Sequence, residues 1–231
     1  MKKYITIDQI TIEINKKNIK NMYIRVRRMD GAIVVSVPNR MTKAQIETFI
    51  LSNIEWIKKN KKKFNETHKH LEFNYISGET HYLWGKPYIL QVIYTEDDKS
   101  SVSFNQNNII LKIKKESSKK EKEALIDKWY RSILKEKIEE ILPECEKITG
   151  KSCDEYHIKK MKTIWGSINI LHKRVWINFE LVKKHEECLK LVLIHELVHL
   201  YVRNHDKNFK NYMDIFYPNW KRIQKTLLNT L

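Results

Sequence analysis

The chain has 231 residues, 42% of them hydrophobic, and its 44 Lys and Arg against 28 Asp and Glu leave a formal net charge of +16. That length and apolar content suffice for a real core in one or two domains and exclude a disordered chain. The charge implies long-range attraction to polyanions, but a lysine-rich solvated surface accounts for it equally well.

Met1 to Thr6 lead to Asp8 and Gln9 rather than to a long apolar stretch, so no signal peptide is evident and a soluble cytoplasmic protein is expected. Tyr4–Ile7, Ile10–Ile14, Met22–Arg27 and Ala32–Val37 alternate apolar and polar residues, as half-buried antiparallel strands do. Asp30-Gly31 supplies a hairpin turn, and Pro38 stops the last strand. Thr42 with Gln45 forms a capping box, after which Ile46, Phe49, Ile50, Ile54 and Ile57 mark one face of a single helix running to Phe64. A second β region takes in Tyr82–Trp84, Tyr88–Tyr94, Val102–Phe104 and Ile109–Ile113. Lysines cluster at Lys58-Lys59, Lys61-Lys62-Lys63 and Lys112-Lys114-Lys115, with Lys119-Lys120-Lys122 beyond, and no nucleic-acid-binding motif accompanies them.

Lys115–Glu121 is the expected linker, between a β-rich region with one helix (1–115) and a second domain (120–231). There Leu125, Trp129, Ile133, Ile138 and Leu142 outline a long helix up to Pro143. Short strands are expected at Tyr156–Met161, Ile168–Leu171 and Arg174–Ile177, followed by an apolar helix over Leu189–Val202. That run is too short to span a bilayer. Phe209, Tyr212, Met213 and Phe216 carry the spacing of core packing on a further helix, and Trp220, Ile223 and Leu227 extend the pattern. The fold class is α+β: an N-terminal antiparallel β-rich region, then a long helix, a small sheet, the apolar helix and C-terminal helices. No internal repeat is evident.

Cys145, Cys153 and Cys188 are odd in number and lack Cys-x-x-Cys spacing, which argues against a disulfide framework and a cysteine metal site. Histidine offers more. His195 and His199 stand four residues apart, about 40° apart around a helix axis, so one cation fits between them. Glu196 projects beside them, placed to hold a water on the metal and take its proton. His205 completes His-Glu-x-x-His-x5-His, provided the chain leaves the helix first. Asn204 is the expected exit, because Asn tolerates the left-handed conformation that closes helices. Burying His195, Glu196 and His199 in so apolar a segment would be costly without a partner. Asp206 suits a helix cap or a hydrogen bond to a ligand imidazole. His68, His70, His81, His157 and His185 read as ordinary surface or core residues.

Trp165-Gly166-Ser167, Ile177-Asn178-Phe179-Glu180-Leu181, His195-Glu196-Leu197-Val198-His199 with Asn204-His205, and Phe209 with Tyr217-Pro218-Asn219-Trp220 together resemble the YgjP-like family of zinc metallopeptidases. That family stands with the SprT-like and WLM domains of the zincin superfamily. The resemblance extends to Tyr23–Pro38 and to a hairpin over Gly78–Pro87. Members usually carry an Arg before Trp-Gly-Ser and a Cys after it, where this chain has Ile164 and Ile168. The resemblance implies a zincin-like second domain in which an edge strand, Ile168–Leu171 or Arg174–Ile177, pairs with an extended peptide. Trp165-Gly166-Ser167 reads either as a loop at the cleft, in which Gly166 supplies an unusual backbone angle, or as a plain turn with a buried Trp.

Three activities follow. The first is a metallopeptidase in which His195, His199 and His205 bind Zn2+ and Glu196 is the general base. The second is a metal-dependent pyrophosphatase of a nucleoside triphosphate or other anionic small molecule. The third is a protease associated with nucleic acid through the basic surface. Imidazole ligands also suit iron, cobalt and nickel. Tyr201, Arg203, Tyr212, Tyr217 and His172 are candidate oxyanion stabilisers.

Overall fold

The computed structural model describes residues 3–27, 31–68, 73–97 and 99–229. Asp30 of the expected turn, His70, and the side chains of Lys63 and His68 lie outside the described residues. The fold is α+β, with contacts dividing the chain into two compact units, 1–72 and 73–230. No described helix is long and apolar enough to cross a membrane.

In the first unit, β1 (Lys3–Ile7), β2 (Ile10–Lys17), β3 (Tyr23–Val26) and β4 (Ile33–Pro38) form one sheet in the order β1-β2-β4-β3. A two-residue turn joins β1 to β2, with positive φ at both Asp8 (47°) and Gln9 (62°), the turn whose twist matches that of a hairpin. The outer pairs are antiparallel, as expected, but β2 and β4 run parallel. Burial explains the difference. Ile10, Ile12 and Ile14 of β2 and Ile33, Val34, Val35 and Val37 of β4 are buried, and placing β4 beside β2 brings these most apolar strands to the centre.

The helix expected after Thr42 is two. α1 (Lys43–Ser52) starts in the reciprocal Thr42–Gln45 capping box and stops at Asn53, whose side-chain amide donates to the Phe49 carbonyl. α2 (Ile54–His68) then restarts. Ile46, Ile50 and Ile57 still pack together against the sheet.

The second unit opens with β5 (Thr80–Leu83), β6 (Lys86–Tyr94), β7 (Ser101–Phe104) and β8 (Asn108–Ile113), in the order β5-β6-β8-β7 with β6 and β8 parallel. This is the strand order of the first sheet again, down to a two-residue turn with positive φ at Trp84 (50°) and Gly85 (78°). The repeat is one of topology that residue identities do not display. This second β region packs with the following helices into one core.

α3 (Lys119–Thr149) starts at a Ser118–Glu121 capping box inside the expected linker and passes through Pro143 instead of stopping there. Proline removes one helix hydrogen bond and crowds the preceding turn. Cys145 and Thr149, both buried beyond it, and a left-handed Gly150 cap carry the helix on for six residues. β9 (Glu155–Lys159), β10 (Gly166–Asn169) and β11 (Arg174–Asn178) then form a small sheet in the order β10-β11-β9. A 3₁₀ turn (Phe179–Lys183), α4 (Glu186–Val198), α5 (Lys207–Phe216) and α6 (Trp220–Asn229) complete the unit. α4 is buried nearly all round, packing on α3, α5, α6 and β10.

Leu134, wholly buried in α3, tests this core against Ile215, 70% exposed on α5. Leu134→Ala is expected to cost ~2–5 kcal/mol by urea unfolding, and Ile215→Ala to stay within about 0.5 kcal/mol.

Candidate metal centre

His195 and His199 lie at the C-terminal end of α4, one turn apart, with His199 as the last, capping residue of the helix. The exit differs from the expected one. Asn204 is not left-handed; the chain leaves at His199 through a tightened last turn, Leu200 N–H donating to Leu197 O and Tyr201 N–H to Val198 O. Two side chains secure it. His199 Nδ1 lies 3.0 Å from Val202 O, and the Tyr201 hydroxyl donates to Thr149 O at the end of α3. Asp206 then caps α5 by accepting from Phe209 N–H, the first of its two expected roles.

This turn brings His205 back over α4. One ring nitrogen from each of His195, His199 and His205 falls within 4.8 Å of the others, and the Nε2 atoms of His195 and His205 are 2.9 Å apart. Nitrogens around a tetrahedral zinc stand about 3.3 Å apart, so the cluster has the scale of a single ion. The Val202 carbonyl can only accept, so Nδ1 of His199 carries the proton and its Nε2 lone pair is free for a cation. Burial, then the imidazoles of His199 and His205, push His195 down to about 3; burial likewise lowers His199. Neutral imidazoles are the state in which histidine binds metal. The donor set therefore fits a divalent ion with nitrogen preference.

Phe209 forms the floor of the cluster. Its ring centroid lies 4.8, 4.8 and 4.7 Å from those of His195, His199 and His205, and the residue is buried. The sequence places Phe209 in the family motif and on a core-packing face, but a spacing of three and four marks a buried face without saying what that face touches. His81, His157 and His185 stay apart: His81 stacks on Phe73, His157 on Trp176, and His185 caps α4.

Glu196 is 5% exposed, and its carboxylate makes no hydrogen bond or ion pair among the described residues. Burial alone pushes its carboxyl up to about 8, and a cation among the three imidazoles would act in the opposite direction. Its neighbour across the cleft is Gly166 at the start of β10. A Cβ at position 166 would stand 2.6 Å from Glu196 Oε1 and 2.6 Å from Val192 Cγ1. Gly166 does not have the unusual backbone angle of the loop alternative; its φ is not positive. It is required because only a residue without a side chain lets the strand lie against that carboxylate.

Asn178, wholly buried at the end of β11, holds the segment that leads into Gly166. Its side-chain amide donates to the carbonyls of Met161 and Ile164, its side-chain oxygen accepts from Glu180 N–H, and its own N–H donates to Trp165 O. A single Asn within an apolar run carries no sequence signal for such a hub.

The three histidines, Glu196 and Gly166 line a cleft of about 1000 Å³ bordered by β10, α4, the 203–205 loop and α6. Of the two strands expected to offer an edge, Arg174–Ile177 is central, bonded on both sides, and only β10 is free along one side. Of the five candidate oxyanion stabilisers, Arg203 alone lines the cleft. Tyr201 is bound to Thr149 and stacked on Tyr212, which also stacks on Phe216.

Gly166→Ala is expected to lower hydrolysis by about a hundredfold, through displacement of Glu196, with metal content unchanged. Phe209→Ala should weaken metal binding about 10–100-fold, measured by competition with a chromophoric chelator, because the rings lose their common support.

A model of the YgjP-like metallopeptidase domain matches residues 20–230, a span that takes in the whole site. No curated protein matches the chain. Among solved structures, the metallopeptidase zymogen abylysin of Pyrococcus abyssi is similar at 21% identity and a TM-score of 0.37, over 39% of this chain and 91% of that one. Jannalysin of Methanocaldococcus jannaschii, also a metallopeptidase zymogen, is similar at 24% identity and a TM-score of 0.35, over 39% of this chain and 87% of that one. With its family match running from β3 to the end of α6, the chain belongs to the YgjP-like family of metallopeptidase domains.

Proposed function

We propose that this protein is a zinc-dependent peptidase whose metal is held by His195, His199 and His205 and whose general base is Glu196. The observation that carries the reading is the convergence of three imidazole nitrogens within 4.8 Å beside a buried carboxylate without a partner, all lining one open cleft. A divalent cation bound there supplies Lewis acidity, acidifying water and polarising a carbonyl.

The chain's own groups do the rest. The free side of β10 pairs with an extended backbone and brings its scissile carbonyl alongside the histidines. Glu196 takes a proton from the attacking water onto its carboxylate and delivers it to the amide nitrogen as the C–N bond breaks. Arg203, the cation that borders the cleft beside His199 and His205, stabilises the negative charge developing on the carbonyl oxygen. Gly166 keeps the strand close to Glu196, and Asn178 holds Gly166 in place. The hydrolase activity resides in the C-terminal part, 120–231. Three free cysteines suit a reducing compartment, in keeping with a cytoplasmic location.

The nucleotide and nucleic-acid readings find less support. Among the described residues no lysine lines the cleft, and lysine is the side chain that would meet a triphosphate there.

The purified protein should carry about one zinc per chain by elemental analysis, and His199→Ala should carry almost none; equal zinc in both would remove the site. Glu196→Gln should retain the metal while peptide hydrolysis falls about 10²–10⁴-fold, and a chelator should abolish hydrolysis reversibly.

A further inference from the structure

Large apolar side chains are exposed along the cleft, among polar ones from Thr163, Ser167, Asn169 and Gln224. Ile170, Leu171 and Leu228 are 40%, 86% and 42% exposed, and all three line it, where Leu191, Leu227 and Trp176 continue the same surface. Large apolar side chains are ordinarily covered, and a contiguous set of them around a concave site marks what the site binds. Glu196 and Arg203 are the charged residues of the lining, apart from the histidines.

The exposed leucine has a fixed position. It stands at the tip of the turn between β10 and β11, where Asn169 accepts from His172 N–H and Lys173 takes a positive φ of 41°. This local structure holds Leu171 out at the end of the free strand. Leu228 borders the cleft from α6.

Resting on the peptidase reading above, we propose that the cleft selects extended segments carrying bulky aliphatic or aromatic side chains, seated against Leu171, Leu191, Leu227 and Leu228. Such segments are buried in folded proteins. The substrate class is therefore unfolded or unstructured polypeptide, and the lysine-rich surface, although attractive to acidic chains, does not set the preference.

The test uses the full-length, zinc-loaded Glu196→Gln variant, so that binding is read without turnover. Fluorescent ten-residue peptides of Ser, Thr and Gly carry a central Leu-Leu, Phe-Phe, Lys-Lys or Glu-Glu pair, and binding is followed by anisotropy at low and at high salt. The Leu-Leu and Phe-Phe peptides should bind at least about tenfold more tightly than the Glu-Glu peptide, and the gap should persist at high salt, which screens charge but not apolar contact. Adding Leu171→Glu and Leu228→Glu, both at exposed positions, should erase the gap with the circular dichroism spectrum unchanged. Equal binding of all four peptides, tighter binding of Glu-Glu at high salt, or an unchanged gap in the leucine variant would overturn the proposal. Cleavage by the unsubstituted enzyme separates the two readings. Hydrolysis without apolar preference leaves the peptidase standing and removes the selectivity, whereas selective binding without hydrolysis of any peptide does the reverse.

Discussion

The close approach of β10 to α4 governs this site. A helix as apolar as α4 is stable only when covered on every side, yet it carries His195, Glu196 and His199 near its end. Glycine at 166 lets the strand cover Val192 and the stem of Glu196 without filling the space in front of the carboxylate. Phe209 covers the histidines from the other side with an aromatic face, which excludes water and takes no hydrogen bond from them. The polar groups are thus packed from behind and open in front, which is how a buried carboxylate and neutral imidazoles stay available to a cation and a substrate.

Support for that contact comes from ordinary elements used in specific places. The 31-residue α3 gives α4 its longest neighbour and, at its C-terminal end, supplies the Thr149 carbonyl that anchors Tyr201 and so the turn to His205. Asn178 ties the end of β11 to the strand entry at Trp165. The repeated four-strand order of the two larger sheets places their most apolar strands centrally. Polar side chains and short turns are left at the edges. β10 is different: its free side borders the cleft and is left available.

The charge of the protein and the polarity of the cleft point in different directions. The chain carries a net charge of +16, whereas the cleft sets leucine, isoleucine and tryptophan beside the histidines, Glu196 and Arg203. Long-range fields bring polymers near, but short-range burial decides which side chain stays, because charge is screened over about 10 Å at moderate salt and apolar contact is not.

By itself the sequence determined what depends on local spacing. Periodicity located nearly all the strands and helices, the Thr42 capping box, and the two histidines that one helical turn presents together, and residue type nominated Glu196 as a candidate base. Tertiary structure decided what depends on distant partners. The helix broke at Asn53 because that side chain caps its own helix, and α3 ran through Pro143 because the residues beyond it are buried. β4 took its place beside β2 because burial, not order along the chain, arranges a sheet. The same limit applied to the site. Spacing named His205, but its approach to His195 depends on a turn held by Val202 and Thr149. The places of Phe209 under the histidines, Gly166 against Glu196 and Arg203 on the cleft are set across space, which no interval between residues along the chain encodes.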